Sequence, residues 1–238
     1  MKEVLKVMKF DFLTAKPLAL RAYILLCAVC CALSLFFSPI ISSYIFFAAM
    51  IFVIPLQSVA DKCGFNKLYG TLPVSRKNIT RARFLYIFLV HFIAELISGG
   101  VAVGSYFFKL YRILPNQEGT AVQFIKNSFY DTKLVFFVAM AFFAFFCLMF
   151  SYMEMMGQIF GRENEMKIIV ITLGALGALI ILISQLFNRG IIPAINLPRI
   201  PESLGGRALV ALAVNVIMLG ICMLFGEITA GRLAKREL

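Results

Sequence analysis

Charge is what this chain has least of. Only 15% of its 238 residues are Asp, Glu, Lys or Arg, while 61% are hydrophobic. A domain of this size has no core large enough to hide such a surplus from water. An ordinary soluble globule is excluded, and lipid is the solvent that fits. Acidic residues are scarcer still, 12 against 23 basic, for a formal charge of +11. On a soluble protein that balance suggests nucleic acid. On a membrane chain it suggests cytoplasmic flanks beside anionic headgroups, with no nucleic-acid partner. Histidine occurs once, at His91, and no nucleophile, base and acid constellation for enzymatic chemistry can be assembled. The six cysteines include one Cys-x-x-Cys pair, Cys27 and Cys30. No second pair and no nearby His completes a metal set, so they read as small hydrophobes in helices, and no secretory disulfide framework is implied. A G-x-x-x-x-G-K-[ST] phosphate loop is also missing. The chain cannot cradle ATP by that device, and no cofactor is expected on it.

What the chain has in abundance is apolar length. Crossing a bilayer core takes about 20 residues of helix, and runs of that order occur at 22–38, 40–59, 84–108, 134–156, 168–187 and 208–226. The third carries His91 and Glu95; the others are uncharged but for Glu154 in the fourth. The runs are continuous rather than alternating, which favours helices over the strands of a membrane barrel. No small-residue cleavage site follows the first run, so it reads as a retained span rather than a signal peptide.

Of the 23 Lys and Arg, sixteen fall in 1–21, 60–83, 157–167 and 227–238, against seven in 109–133 and 188–207. That asymmetry places both termini in the cytoplasm and the chain in the cell (plasma) membrane as a multi-pass protein. The expected fold is an all-α membrane protein, one transmembrane domain over 1–238. An N-terminal interfacial amphipathic helix (1–20) precedes six transmembrane helices. Spans one and two lie in 22–59, a cytoplasmic coupling loop in 60–83, spans three to six in 84–226, and a cytoplasmic tail in 227–238.

The pieces between spans are informative. Lys2, Lys6, Lys9 and Lys16 gather in one helical sector, while Val4, Leu5, Val7, Met8 and Phe12 gather on the other side. This predicts a helix lying in the interface, ended by Pro17, with a frayed basic tail as the alternative. In the loop 60–83, Phe65, Leu68, Tyr69 and Leu72 recur at helical spacing, and Pro73 stops that helix. Ser75 is placed to cap a new helix whose first turns carry Arg76, Lys77, Arg81 and Arg83 into the third span. A short exposed helix of this kind is either a docking element for a second protein or one that only touches lipid. The Pro- and Gly-rich stretch 188–206 predicts irregular backbone outside.

The stretch Leu68-Tyr-Gly-Thr-Leu-Pro-Val-Ser-Arg-Lys-Asn-Ile79, which follows Asp61 and an apolar second span, resembles the coupling segment of membrane subunits of ABC-2-type transporters. The order of parts is similar over nearly the whole chain, and small bacterial permeases that export amphipathic peptides, such as phenol-soluble modulins, are the most similar group. The resemblance implies a six-span permease that dimerises with a second copy or a similar permease and works with separate cytoplasmic ABC ATPase subunits. ATP and Mg would be bound there, not here. It implies that Asp61, Phe65, Leu68, Tyr69, Leu72, Pro73, Val74, Ser75 and Arg76 sit against the ATPase.

Inside the spans, His91 and Glu95 lie four residues apart on one helical face near mid-depth. An ionised carboxylate there costs roughly 2.5–3.5 kcal/mol, so a partner or water is expected. Glu95 either lines a translocation path and meets basic groups of the cargo, or bonds His91 and a neighbouring helix. Further path candidates are His91 itself, Phe142 and Phe146 of the Phe-rich fourth span, and Glu154 near that span's cytoplasmic end, where water is close. Asn215 is expected to bond across helices. The function these features imply is the membrane half of an ATP-driven exporter of an amphipathic peptide or other apolar cargo. An ion-gradient-driven transporter and a scaffold or channel stand as alternatives.

Overall fold

The structure, a computed structural model, describes residues 2–62, 74–108, 131–161 and 201–234, with isolated helical positions between 164 and 185. In chain order these form α1 (Lys2–Phe36), a 3-10 segment (Pro39–Tyr44), α2 (Ile45–Lys62), α3 (Arg76–Phe108), α4 (Thr132–Phe160) and α5 (Leu204–Ala234). There is no strand among the described residues. Four stretches are long and apolar enough to cross a membrane: Ala19–Phe36, Arg76–Phe108, Thr132–Phe160 and Leu204–Leu233. Pro39–Ile54 is apolar but shorter. The expected fifth span, 168–187, falls largely outside the described residues.

Pro17 does not end the first helix. α1 runs through it as one helix of 35 residues, about 52 Å long at about 1.5 Å per residue. A proline in a helix interior removes a backbone hydrogen bond and costs about 3 kcal/mol, but here both sides of it are anchored. Val7 packs on Ile79 and Ala82, and Ala15 and Ala19 pack on Phe52 and Tyr86. The expected separate interfacial helix is therefore the first half of a longer rod, and it leans on the start of α3 instead of lying alone. Ser105 Oγ donates to Ser34 O at 2.9 Å across 71 residues, close to the 72 that separate Val7 from Ile79. Hence α1 and α3 run parallel in constant register.

The second span also opens differently from its apolar pattern. Ser38 is extended, and Pro39 begins a 3-10 segment before α2. That segment buries Ser42 and Ser43, and Ser98 Oγ of α3 donates to Ser42 Oγ at 3.2 Å.

Among the described residues α3 touches α1, α2, α4 and α5. Its buried Ile87, Phe88 and Ala94 join Phe46 and Val53 of α2, Phe143, Cys147 and Phe150 of α4, and Met218 and Cys222 of α5 in the main core. The ends of α4 and the start of α5 are fixed by local chemistry. Asp131 caps α4 by accepting from Lys133 N at 2.8 Å, and Gly161 closes it at a positive φ of 88°. α5 begins at Leu204, earlier than the apolar run suggests, because Ser203 Oγ accepts from Gly206 N at 3.1 Å. Gly205 and Gly206 are thus helical and not part of an irregular outer loop. A Cβ on Gly206 would stand 2.6 Å from Pro201 Cβ, so only glycine permits this approach. Arg207 ties the two ends together, donating from Nη2 to Thr132 Oγ1 at 3.0 Å and from Nε to Pro201 O at 3.0 Å. Beside it, Lys133 pairs with Glu202 at 2.7 Å and holds that carboxyl below its ordinary range.

Candidate functional site

The inward face of α3 repeats every three or four residues through Arg83, Ile87, His91, Glu95 and Ser98, all of them buried. Four of these five are polar, in a helix otherwise built for lipid. Each must find a partner, because burying a polar group without one is costly. The partners divide the face into two layers.

In the first layer Arg83 Nη1 meets Glu154 Oε1 of α4 at 3.0 Å, with both side chains almost fully buried. Gln158 Nε2, one turn further on, donates to the same carboxylate at 2.6 Å. Glu154 is therefore not a water-facing residue at the helix end, as its position alone suggests. Arg83 reaches it from α3, and the countercharge makes burial tolerable. Just outside this layer, Lys77 and Arg81 both pair with Glu227, tying α3 to α5 at the surface.

In the second layer His91 and Glu95 share a face but do not bond to each other. His91 Nδ1 bonds Ile87 O at 2.8 Å, and its ring lies against Phe146 and Phe150 at centroid distances of 6.4 and 5.5 Å. Glu95 Oε1 accepts from Asn215 Nδ2 of α5 at 3.1 Å, so Asn215 does bond across helices. With Nδ1 as the donor, Nε2 of His91 is an acceptor. Among the described residues, His91 Nε2, Glu95 Oε2 and Asn215 Oδ1 are buried without a hydrogen-bond partner. A layer presenting three such acceptors suits one further donor: water, a proton on Glu95, or an ammonium or guanidinium group.

The aromatic path candidates are packed rings. Phe146 is buried and meets Phe47 edge-on at 4.8 Å, and Phe142 meets Phe47 edge-on at 6.0 Å. One constellation has no counterpart in the sequence pattern. Cys147 Sγ and Cys222 Sγ approach to 3.4 Å, with Ser151 Oγ at 3.2 Å from Cys222. The residues stand 75 positions apart on different helices, and no local spacing could have signalled the pair.

Of the expected coupling positions, Asp61 lies in the last turn of α2, Val74 and Ser75 precede α3, and Arg76 is its first residue. Ser75 Oγ accepts from Asn78 N at 3.3 Å, the cap its position predicts. Val74 packs against the cluster of Val7, Ile79 and Ala82, and Asn78 Nδ2 donates to Glu3 at 2.7 Å. Phe65, Leu68, Tyr69, Leu72 and Pro73 lie outside the described residues. No family model, curated protein or solved structure matches the chain. Its class rests on its own features: a helical protein with, among the described residues, four helices long and apolar enough to cross a membrane.

Proposed function

We propose that the chain is the membrane subunit of an ATP-driven exporter of the ABC-2 type. It is a six-span half-transporter in the cell membrane with both termini cytoplasmic. It pairs with a second permease and with cytoplasmic ABC ATPase subunits, and it passes an amphipathic peptide or other apolar cargo. The observation that carries this reading is the continuity of α3. It is one helix of 33 residues, capped by Ser75 directly after the coupling segment. It runs through the Arg83–Glu154 pair to His91 and Glu95 and touches each of the other described helices α1, α2, α4 and α5 on the way. A displacement of the coupling segment is delivered along such a rod to the buried polar layer.

ATP binding on the partner draws the segments of the two permeases together, and the spans rock between two packings. Coupling is mechanical, and no bond is made or broken on this chain. In the open packing Glu95 receives a cationic group of the cargo. Leu68→Asp or Leu72→Asp is expected to abolish co-purification of the ATPase. Glu95→Gln is expected to leave the complex assembled while removing most cargo-stimulated ATP hydrolysis. Loss of assembly in Glu95→Gln would reduce Glu95 to a structural role.

A second reading, transport driven by an ion gradient, draws on the acceptors of His91, Glu95 and Asn215 that have no partner among the described residues. It requires ion flux in vesicles holding this chain without any ATPase, whereas the exporter reading requires none.

A further inference from the structure

A groove with a cavity of about 460 Å³ opens between α1, α2 and α3 on the outside of the bundle. Its walls are apolar, with Phe12 and Tyr23 from α1, Phe52 from α2, and Tyr86 and Leu89 from α3; Lys9 is the one charged residue among them. The hydroxyl of Tyr86 is engaged with Phe52 O at 3.4 Å, so the wall offers little to a polar ligand. A cavity of this size falls within the range of small-molecule sites, about 300–1,000 Å³. Its rims are exposed at Phe12 and Ile93.

The charge on the rim decides the occupant. Lys16 follows Lys9 by seven residues and stands on the same stripe of α1. Among the described residues neither lysine has an acidic partner. The two acids of this segment are directed elsewhere: Glu3 accepts from Asn78, and Asp11 is fully buried, away from the exposed lysines. The levels also agree. The apolar part of α1 begins at Ala19. Lys16 and Lys9 therefore lie about 4.5 and 15 Å before it at about 1.5 Å per residue. The first stands at headgroup depth, and the second lies further out with its aliphatic stem along the groove.

We propose that this groove binds one anionic glycerophospholipid, with an acyl chain in the cavity and its phosphate held by Lys9 and Lys16. The site rests on the chain being a membrane protein and is independent of the exporter reading. It distinguishes a held lipid from the loose shell around any span, because a concave apolar wall and two cations act on one molecule.

The absence of tryptophan from the chain makes a single introduced one an unambiguous reporter. The full chain carrying Phe12→Trp is reconstituted in phosphatidylcholine vesicles containing a small fraction of phosphatidylglycerol or phosphatidylcholine with brominated chains. Brominated phosphatidylglycerol is expected to quench its fluorescence several-fold more than brominated phosphatidylcholine. Adding Lys9→Gln and Lys16→Gln is expected to equalise the two lipids. Ile228→Trp, on the exposed face of α5 at the same basic end, reports the general attraction of anionic lipid and is expected to show a much smaller preference. Leu89→Trp serves as the groove reporter if circular dichroism shows Phe12→Trp to be misfolded. A preference as large at Ile228→Trp as in the groove, or one that survives both lysine changes, overturns the site. No ATPase is present, so neither outcome touches the exporter reading.

Discussion

Glu154 of α4 and Glu95 of α3 are both buried, one in each polar layer, and they differ in what meets them. Glu154 receives a guanidinium from Arg83 and an amide from Gln158 on the same oxygen. Glu95 receives only the amide of Asn215, and its second oxygen has no partner among the described residues. A buried carboxylate facing a buried cation has its charge compensated, so that layer serves as a clasp between α3 and α4. A carboxylate facing a neutral amide has no countercharge in that contact, and its second oxygen remains open to a further donor. One layer is matched in charge, and the other leaves acceptors without a partner among the described residues.

The sharpest way to break this contrast is Arg83→Leu, which leaves Glu154 buried beside an apolar side chain. The expected loss is about 3–5 kcal/mol, read as disappearance of the folded peak in size-exclusion chromatography. Arg83→Leu combined with Glu154→Leu should recover most of the material. A single Arg83→Leu as stable as the parent would show that the clasp carries no weight.

Asn215→Leu should cost less, about 1–2 kcal/mol for one hydrogen bond between membrane helices, seen as a small fall in the thermal midpoint. If this change destabilises as much as Arg83→Leu, the second layer is a clasp as well and the contrast fails.

The smallest effect is expected at Glu202, an exposed carboxylate just before α5 that is paired with Lys133. Lys133 lowers its pKa in the folded chain. Any stabilisation is therefore present above the unfolded pKa and lost as pH falls through the folded one. Solvent screens an exposed pair of this kind. Glu202→Gln should leave the melting midpoint at neutral pH unchanged and its acid-side decline parallel to the parent's. A clear drop at neutral pH would show that the Lys133–Glu202 pair matters to the start of α5.

The apolar runs of 84–108 and 134–156 are legible because hydropathy over about 20 residues measures the quantity that decides insertion. The Ser75 cap is legible for a similar reason: a hydroxyl three residues before an orphan N–H needs nothing from the rest of the chain. Pro17 misleads in the opposite sense. Taken locally it ends a helix, yet contacts made by Val7, Ala15 and Ala19 with residues some 35 to 75 positions away carry the helix through. The site is half visible. His91 and Glu95 share a face by arithmetic, but Arg83 reads as a cation of the loop until α4 brings Glu154 to it.

Composition and hydropathy on their own determined that this is a helical chain suited to lipid, with long apolar helices such as 84–108 and 134–156, and that its polar residues fall on few faces. These are properties of one segment in one solvent. Only the tertiary structure decided which polar groups meet, because Glu95 and Asn215 are 120 residues apart and Cys147 and Cys222 are 75. Such pairings follow from the relative placement of whole helices, which is set by the packing of Phe46, Phe143 and Phe150 against α3. No local pattern contains that information, since a side chain's partner across a helix pair depends on the register of both.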